Sequence, residues 1–452
     1  MSETAGMDER ALSGEVTELL QTMIRNECVN DGAPESGGER RNADVLRGYL
    51  EGVGLDLETF EPAPGRVSLV ARIEGSDPDA PSLCFCGHTD VVPVTPAGWQ
   101  RDPFGGELVD GEVWGRGALD MLNITASMAV AVKHLARSGW KPRGTLVYFA
   151  VADEEAAGEH GAKWMTEHAY DAVGADYVLT ESGGVVMPSD RGERVTVTTG
   201  EKGVAWRRLR VSGSPGHGSM PFGSDNALVK AAEVVRRLAA YRPATVVTDA
   251  WRAYVDALDL DDETRSALAD PARAYDACTS MADVRLAKIA HACTHMTFSP
   301  NVVHGGVKTN VIPDVVDVDV DIRTLPGQTD ADVAANLREA IGDLSDAVEV
   351  VTITSNEATA SPTETPVWDA LQRAIGRVYP EATLVPRLTA GGTDARFFRE
   401  KGAVAYGAGL FTPGMTQQEF ASRFHGHNER IDVESLDLTR RLWVDVAQTV
   451  LG

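Results

Sequence analysis

The fold is decided by the stretch Leu83-Cys84-Phe85-Cys86-Gly87-His88-Thr89-Asp90, in which an apolar run leads directly into polar residues. A second continuous apolar run, Thr145–Ala152, lies between Gly144 and Asp153 and is typical of a strand buried on both faces. Helical spacing of apolar residues over Leu122–Arg137 separates the two runs. This alternation predicts an α/β domain with a mostly parallel sheet.

Acidic residues and a histidine follow these runs at the points where the strands are expected to end. One further acid, Asp120, lies at the end of the Gly-rich turn Gly115–Met121, and the short strand Tyr177–Leu179 is followed by another. The residues at these element ends are His88, Asp90, Asp120, Glu154, Glu155 and Glu181. Each alone is typical of a helix cap or a solvated surface. Together they favour a site at the carboxyl edge of one sheet, with donors that suit a divalent metal, zinc above all.

The sequence pattern changes after about Gly200. Residues 315–322 alternate valine or isoleucine with aspartate, which predicts a half-buried antiparallel strand. The predicted order β-α-β-β-α-β is that of a ferredoxin-like α+β unit. We therefore expect a catalytic domain in two parts, 1–199 and 357–452, and an inserted domain at 200–356 whose segment 242–292 is an acidic helical insertion.

Composition excludes several classes of protein. The 42 basic and 67 acidic residues give a net charge of −25, which argues against nucleic acid or an anionic membrane as the main partner. Five cysteines in a long chain imply no disulfide framework. We expect no signal peptide and no membrane span, and hence a cytoplasmic protein.

Five motifs make the chain recognisable. They are His88-Thr89-Asp90, Gly115-Arg116-Gly117 through Asp120-Met121, Asp153-Glu154-Glu155, Thr180-Glu181, and His425-Gly426-His427-Asn428-Glu429. With this combination and spacing the sequence resembles the M20 family of zinc-dependent peptidases and deacylases over nearly its whole length. The resemblance implies a zinc-peptidase-like catalytic domain, with the ferredoxin-like domain inserted as a lid and dimerisation domain.

The resemblance also implies two bound divalent metal ions, zinc or else Co²⁺ or Mn²⁺. His88 and Glu181 would be terminal ligands of one ion, Glu155 and His425 of the other, and Asp120 would bridge both. The family pattern His-x-x-Asn/Asp-Glu selects His425 rather than its neighbour His427.

Catalytic roles follow from the same resemblance. Glu154 would be the general base and acid, and Asp90 would orient the imidazole of His88. The family also leads us to expect a cis peptide at Asp120–Met121. The sequence departs from the family after that point, because Leu122-Asn123 replaces the usual Lys-Gly and leaves the subfamily open.

Further residues resemble the substrate-binding groups of the family. His217, in a Gly-His-Gly-Ser turn, would polarise the scissile carbonyl, and Asn310 and Arg323 would lie on the substrate side of the lid. Arg323 would clamp a substrate carboxylate. The loop with Gly392 and Thr393 would hold the same carboxylate through its backbone. The implied partners are a small substrate with a free carboxylate and a second copy of the chain.

The sequence therefore predicts metal-dependent hydrolysis of an amide bond in small peptides or N-acyl amino acids. Peptidase and N-acyl-amino-acid deacylase remain alternatives, since the motifs describe the reaction centre and not the side-chain pocket. A non-catalytic metal-binding homologue would have lost Glu154 or a ligand, and all are present. A Ser-His-Asp hydrolase is disfavoured because no Gly-x-Ser-x-Gly motif occurs.

Overall fold

The computed structural model describes residues 3–187, 189 and 192–452. The chain forms two compact units. Unit 1 takes in the described residues of Met1–Thr199 together with Ser361–Arg387 and Thr393–Gly452, and unit 2 consists of Gly200–Ala360 and Leu388–Gly392.

The α-helices of the described chain are α1 (Glu3–Arg25), α2 (Arg40–Leu50), α3 (Leu122–Arg137), α4 (Ala162–His168), α5 (Tyr170–Val173), α6 (Ala227–Ala240), α7 (Asp249–Ala257), α8 (Asp262–Leu268), α9 (Ala274–Ser280), α10 (Val284–Thr294), α11 (Asp330–Ile341), α12 (Pro366–Gly376), α13 (Ala395–Glu400), α14 (Gln417–Arg423) and α15 (Val433–Leu451). Short 3₁₀ turns occur at Pro96–Gly98, Glu154–Ala156 and Gly342–Ala347.

The strands are β1 (Asp56–Ala63), β2 (Arg66–Ile73), β3 (Leu83–His88), β4 (Glu107–Val109), β5 (Glu112–Trp114), β6 (Leu146–Val151), β7 (Tyr177–Thr180), β8 (Val186–Met187), β9 (Arg194–Glu201), β10 (Gly203–Val204), β11 (Arg207–Ser212), β12 (Gly216–His217), β13 (Thr297–Gly305), β14 (Val311–Ile312), β15 (Val315–Thr324), β16 (Val348–Thr352), β17 (Thr359–Ala360), β18 (Thr383–Thr389), β19 (Val404–Gly407) and β20 (Arg430–Asp432).

The main sheet of unit 1 runs in the order β1-β2-β6-β3-β7-β19-β9. Its four central strands, β6, β3, β7 and β19, are parallel, and the pairs on both flanks are antiparallel. The predicted α/β class is confirmed, with the parallel arrangement concentrated in the middle of a mixed sheet. β3 and β6 are buried throughout, as their continuous apolar sequences require.

Two apolar cores enclose this sheet. The larger core includes α1, α3, α12 and α15, and the smaller one packs α4 and α13 against side chains of β3 and β6 such as Cys84 and Phe149. The predicted helix Leu122–Arg137 is α3, and it is buried along most of its length. Layers on both faces leave the carboxyl edge of the parallel strands as the place where polar groups can gather.

Unit 2 contains the predicted ferredoxin-like arrangement. Its sheet has the order β13-β15-β11-β16, with the short β10 also paired to β15. All of these pairs are antiparallel, and α6 and α11 cover one face. The alternation in β15 gives that face Val316, Val318, Val320 and Ile322, while its aspartates lie on the other face. The sequence indicated one strand over 203–211, but the structure has two, β10 and β11, because Ala205-Trp206 interrupts the ladder.

The acidic insertion forms α7 to α10. Lys202, only 2% exposed, donates from Nζ to the carbonyl oxygens of Ala292 and His295, both at 2.7 Å, and so caps the end of α10. Burial lowers the pKa of Lys202 to about 7.

No helix in the described chain is both long and apolar enough to cross a bilayer. The cytoplasmic location stays a prediction of the sequence.

Candidate metal centre and active site

Three neighbouring parallel strands deliver the polar residues to one edge of the unit 1 sheet. His88 is the last residue of β3, Asp153 to Glu155 follow β6, and Glu181 follows β7 directly. The register pairs His88 with Val151 and Phe85 with Leu179, so these three strand ends are adjacent. Side chains that are far apart in sequence therefore converge at the carboxyl edge.

Asp120 lies between two histidines. Its Oδ1 is 3.2 Å from Nε2 of His88, and its Oδ2 is 2.7 Å from Nε2 of His425. The peptide bond from Asp120 to Met121 is cis, as expected. Each oxygen of one carboxylate thus faces a different imidazole, which is the arrangement that a bridging ligand needs.

The main chain at Asp120 is held by a buried ion pair. Glu429 accepts the amides of Leu119 and Asp120 at Oε1, at 2.7 and 3.0 Å, and Arg116 contacts its Oε2 at 2.6 Å. Burial raises the pKa of Glu429 to about 7. This contact links the last sequence motif to the Gly-rich turn.

Two groups of donor atoms are close enough to hold ions. One consists of His88, Asp120 and Glu155, the other of His88, Glu154 and Glu181, and within each group the donor atoms lie within 4.8 Å of one another. His425 joins the first group, since its Nε2 is 3.4 Å from Oε2 of Glu155. All of these side chains belong to unit 1.

Asp90 holds the turn that carries the adjacent glutamates. Its carboxylate accepts the amide of Glu154 at 3.3 Å and that of Glu155 at 3.1 Å. Nδ1 of His88 lies 3.0 Å from the Asp90 main-chain oxygen and 3.6 Å from its carboxylate. Asp90 is therefore in contact with both His88 and the Glu154–Glu155 turn.

Negative charge is buried here in excess. Burial, with nearby carboxylates, raises the pKa values of Glu154 and Glu181 well above the usual range. Burial would raise the pKa of Asp120, but hydrogen bonds from His425 and His88 outweigh it and lower the pKa. Glu155 Oε1 is buried and accepts no hydrogen bond from any described residue. An uncompensated oxygen amid clustered carboxylates and imidazoles fits divalent cations.

The two late histidines occupy different environments. His425 has a left-handed backbone with φ of 55°, uncommon outside glycine, and its side chain is 44% exposed. His427 belongs to neither donor group. Its ring packs against Gly98, so closely that a Cβ on that glycine would lie 2.2 Å from Cε1 of His427. The structure therefore brings His425, and not His427, to Asp120 and Glu155.

The candidate substrate residues are mostly in unit 2. His217 pairs with Val311 in a small two-stranded ladder, and directly beyond it Gly218 donates its amide to the carbonyl oxygen of Asn310 at 2.8 Å. His217 Nδ1 accepts the amide of Ser219 at 3.2 Å. Arg323, on β15, pairs with Asp321 through two contacts of 2.7 and 3.3 Å, so its guanidinium already contacts one carboxylate.

The loop predicted to bind the substrate carboxylate is divided between the two units. Gly392 belongs to unit 2, whereas Thr393 belongs to unit 1 and accepts the amide of Ala395 at 3.2 Å. The next residue, Asp394, is 3% exposed, and burial raises its pKa to about 7.

Sequence reasoning missed the residues that support the site. Arg116, Glu429 and Asp394 lie inside motifs that were recognised, yet received no role. Asn30 contacts Asp90, Glu39 accepts the main-chain amide of Asp153, and Arg66 pairs with Glu39. These three residues lie in separate N-terminal segments with no motif of their own. The signal available in the sequence was an acidic or basic residue directly beside a predicted buried strand or turn, where its side chain has little access to solvent.

The sequence of the chain is similar to those of known peptidases and aminoacylases. The model of peptidase family M20/M25/M40 matches residues 84–449. The chain is 28% identical to mouse aminoacylase-1 over 412 residues, which cover 89% of this chain and 88% of the relative. It is 28% identical to the N-fatty-acyl-amino acid synthase/hydrolase PM20D1 of Xenopus tropicalis over 397 residues, 85% of this chain and 75% of the relative.

Solved structures share the fold. The M20 family metallo-carboxypeptidase Sso-CP2 of Sulfolobus solfataricus superposes with a TM-score of 0.70 at 19% identity, covering 100% of this chain and 99% of that one. Human carnosine dipeptidase 1 gives a TM-score of 0.65 at 18% identity, with 98% of each chain covered.

Proposed function

The chain belongs to peptidase family M20/M25/M40 and is a hydrolase of amide bonds, and we propose that it releases amino acids from N-acyl amino acids or small peptides with Glu154 as general base. The observation that carries the proposal is the convergence of two histidines and four carboxylates, including Glu154, at one sheet edge. N-acyl amino acids come first because relatives sharing 28% identity over more than four fifths of the chain are named for such substrates.

The donor positions suggest how two ions would be held. His88 and Glu181 would bind one ion, Glu155 and His425 the other, and Asp120 would offer one oxygen to each. Imidazole and carboxylate donors favour zinc, with Co²⁺ and Mn²⁺ as substitutes. When bound, such ions supply Lewis-acid polarisation of the scissile carbonyl and lower the pKa of the attacking water.

Glu154 would move the proton. Its carboxylate Oε2 is 3.9 Å from Nε2 of His88, within the second donor group, and the proposal keeps this carboxylate free of metal so that it can act as the base. It would take a proton from the attacking water and deliver it to the leaving amine nitrogen. Burial raises the pKa of Glu154, which favours its holding the proton between the attack of water and the protonation of the leaving amine nitrogen. Asp90 would meanwhile hold Glu155, the neighbour of Glu154, in place by accepting the main-chain amides of both glutamates.

Substrate recognition would come from the second set of residues. Arg323 would clamp the substrate carboxylate after leaving Asp321, with Gly392 and Thr393 contributing from their loop. His217 accepts a hydrogen bond at Nδ1, so Nε2 would carry the proton that polarises the carbonyl oxygen. Asn310 would support the same position.

A homodimer through unit 2 is part of the proposal. β13 is an edge strand, pairing among the described residues with β15, and it exposes Val302 and Val303. Light scattering should report a dimer, and Val303→Lys should give monomers; a monomeric wild-type protein would contradict this part.

Amine release tests the function. The panel contains N-acyl amino acids with short and long acyl chains, dipeptides, and an analogue lacking the carboxylate, each with Zn²⁺, Co²⁺ or Mn²⁺ and with chelator. We expect chelator-sensitive release that falls by about 10³-fold in Glu154→Gln, since general acid–base groups contribute on this scale.

The outcomes are separable. Release that persists in Glu154→Gln would contradict the assignment of the base. Release only from dipeptides would favour the peptidase alternative. No release from any substrate by the metal-loaded protein would contradict the proposed activity and favour a binding role.

A further inference from the structure

Behind the Glu154–Glu155 turn lies a set of buried polar side chains, of which only Asp90 has a role in the proposed reaction. We call it the buried network; its members are Asn30, Glu39, Arg66, Asp90 and Asp153. None is more than 3% exposed. They come from five separate parts of unit 1, and burying such groups is costly unless their hydrogen bonds are satisfied.

Asn30 is the centre of the network. Its Nδ2 donates to Oδ2 of Asp90 at 2.9 Å and to Oδ1 of Asp153 at 3.2 Å. Its Oδ1 accepts Nη2 of Arg66 at 3.2 Å. The Asn30 side-chain amide thus links two carboxylates. One is that of Asp90, which accepts the amides of Glu154 and Glu155, and the other is that of Asp153, which precedes them in the sequence. A carboxylate in its place would offer no donor to either neighbour.

Arg66 and Glu39 complete the other side. Arg66 Nη1 contacts Oε1 of Glu39 at 2.7 Å and Oδ1 of Asp153 at 3.5 Å. The same Glu39 oxygen accepts the main-chain amide of Asp153 at 3.2 Å. Gly37 makes room for this pair, since a Cβ there would lie 2.0 Å from Arg66 Nη1. The close approach therefore depends on the glycine.

The network holds an unfavourable backbone. Asp153 has φ of 70°, in the left-handed region, although it carries a side chain. Its amide is bound by Glu39, its Oδ1 by Asn30 and its Oδ2 by the amide of His160 at 2.8 Å. This conformation turns the chain from β6 so that the next two amides meet Asp90.

We propose that Asn30, Glu39 and Arg66 are positioning residues that fix the Glu154–Glu155 turn for catalysis. They touch none of the reacting atoms; they act through Asp153 and Asp90. The inference rests on the proposed function, because it takes Glu154 as the base. Proton transfer depends steeply on distance and angle, and a misplacement of about 1 Å can cost about 100-fold in rate.

A purely structural role is the competing explanation. Buried charged groups are often replaceable by apolar ones without loss of stability, so their presence does not by itself explain the network. The two explanations differ in what a substitution changes. A positioning network alters kcat of folded, metal-loaded protein, whereas a structural one alters stability and leaves kcat per folded chain unchanged.

Four variants test the inference in full-length protein loaded with metal. Asn30→Asp replaces a donor by an acceptor between two carboxylates. Glu39→Gln keeps the Oε1 acceptor. Its amino group takes the place of Oε2, which has no hydrogen-bond partner among the described residues. Glu39→Ala removes the acceptor. Tyr406→Phe is the matched control: it removes a buried hydroxyl that bonds Thr365 at 2.8 Å in the same unit.

The measurements are kcat, KM, metal content by elemental analysis, metal affinity by chelator competition, and Tm. We expect kcat of Asn30→Asp to fall about 100-fold with KM within about threefold and two ions retained. Glu39→Ala should lose at least about tenfold in kcat, and Glu39→Gln should restore it to within about threefold of wild type. Tyr406→Phe should lower Tm without changing kcat.

An unchanged kcat in folded Asn30→Asp would overturn the proposal. So would losses that Glu39→Gln does not rescue, or losses that follow Tm as they do in Tyr406→Phe. If Asn30→Asp fails to fold, the Glu39 pair decides by the same criteria. Wild-type turnover and its loss in Glu154→Gln test the proposed function separately, so failure of one is distinguishable from failure of the other.

Discussion

In unit 1 the carboxylates gather at the strand ends with few cations beside them, whereas in unit 2 each aspartate on the uncovered face of β15 lies beside an arginine. Three Arg–Asp pairs form this second set: Arg208–Asp319, Arg210–Asp317 and Arg323–Asp321, with shortest contacts of 2.6, 3.0 and 2.7 Å. The side chains of these three pairs are partly exposed, whereas the carboxylates gathered at the strand ends of unit 1 are buried.

The difference separates two uses of charge. A set of Arg–Asp pairs whose charges balance and which are partly solvated contributes little to stability and needs no bound ion. A buried, unbalanced set is costly unless cations or protons compensate it, and this marks a metal site. Loss of a donor from the unbalanced set should therefore change metal binding, and changes in the balanced set should not.

The largest effect on metal binding is expected at His425. His425→Ala should weaken binding of one metal ion by at least about 100-fold, because it removes a donor beside Asp120 and Glu155. His427→Ala is the matched control two residues away and should leave both ions bound. Chelator competition with elemental analysis measures this; loss of an ion from His427→Ala alone would reverse the assignment.

Arg323 is the member of the balanced set that we expect to affect activity. Arg323→Ala should raise KM for substrates with a free carboxylate about tenfold, through loss of a bidentate contact. Asp321→Asn should lower KM about twofold, because Asp321 competes for the same guanidinium. Steady-state kinetics on the panel decides, and equal effects on the analogue lacking the carboxylate would contradict the clamp.

The strand ends and their donors were accessible from sequence because buried parallel strands carry continuous apolar runs and the motifs follow them. The ferredoxin-like order was accessible from the succession of strand and helix patterns after Gly200, in which the Val–Asp alternation marked β15. The network around Asn30 was not, since a lone asparagine or arginine in a polar segment is usually solvated. Pairing of Arg323 with Asp321 was not predicted either, because alternation assigns residues to a face without showing what they contact.

The pH dependence of stability should distinguish the two units. Burial raises the pKa of Glu39 to about 7 from 4.5. Between these values the folded state binds more protons than the unfolded state, so the stability that Glu39 contributes is lost as pH rises through 7. The free energy of unfolding of wild type minus that of Glu39→Gln should fall from pH 5 to pH 8.

Asp319→Asn provides the control for this measurement. The hydrogen bond from Arg208 lowers the pKa of Asp319 below 3.8, so its contribution is present above that pH and is lost only on further acidification. The difference between wild type and Asp319→Asn should be constant from pH 5 to pH 8 in urea unfolding. A flat difference for Glu39→Gln as well would remove the contrast between the units.

The smallest effect is expected at Arg210. Its pair with Asp317 is partly solvated, so ordering the two side chains and screening by salt offset most of the attraction. Arg210→Ala should change Tm by no more than about 2 °C, and the remaining difference should vanish in about 1 M salt. Metal content and kcat should equal those of wild type. A large, salt-independent loss would show that the paired charges of unit 2 support its fold, and the distinction between balanced and unbalanced charge would then fail as a guide to the metal site.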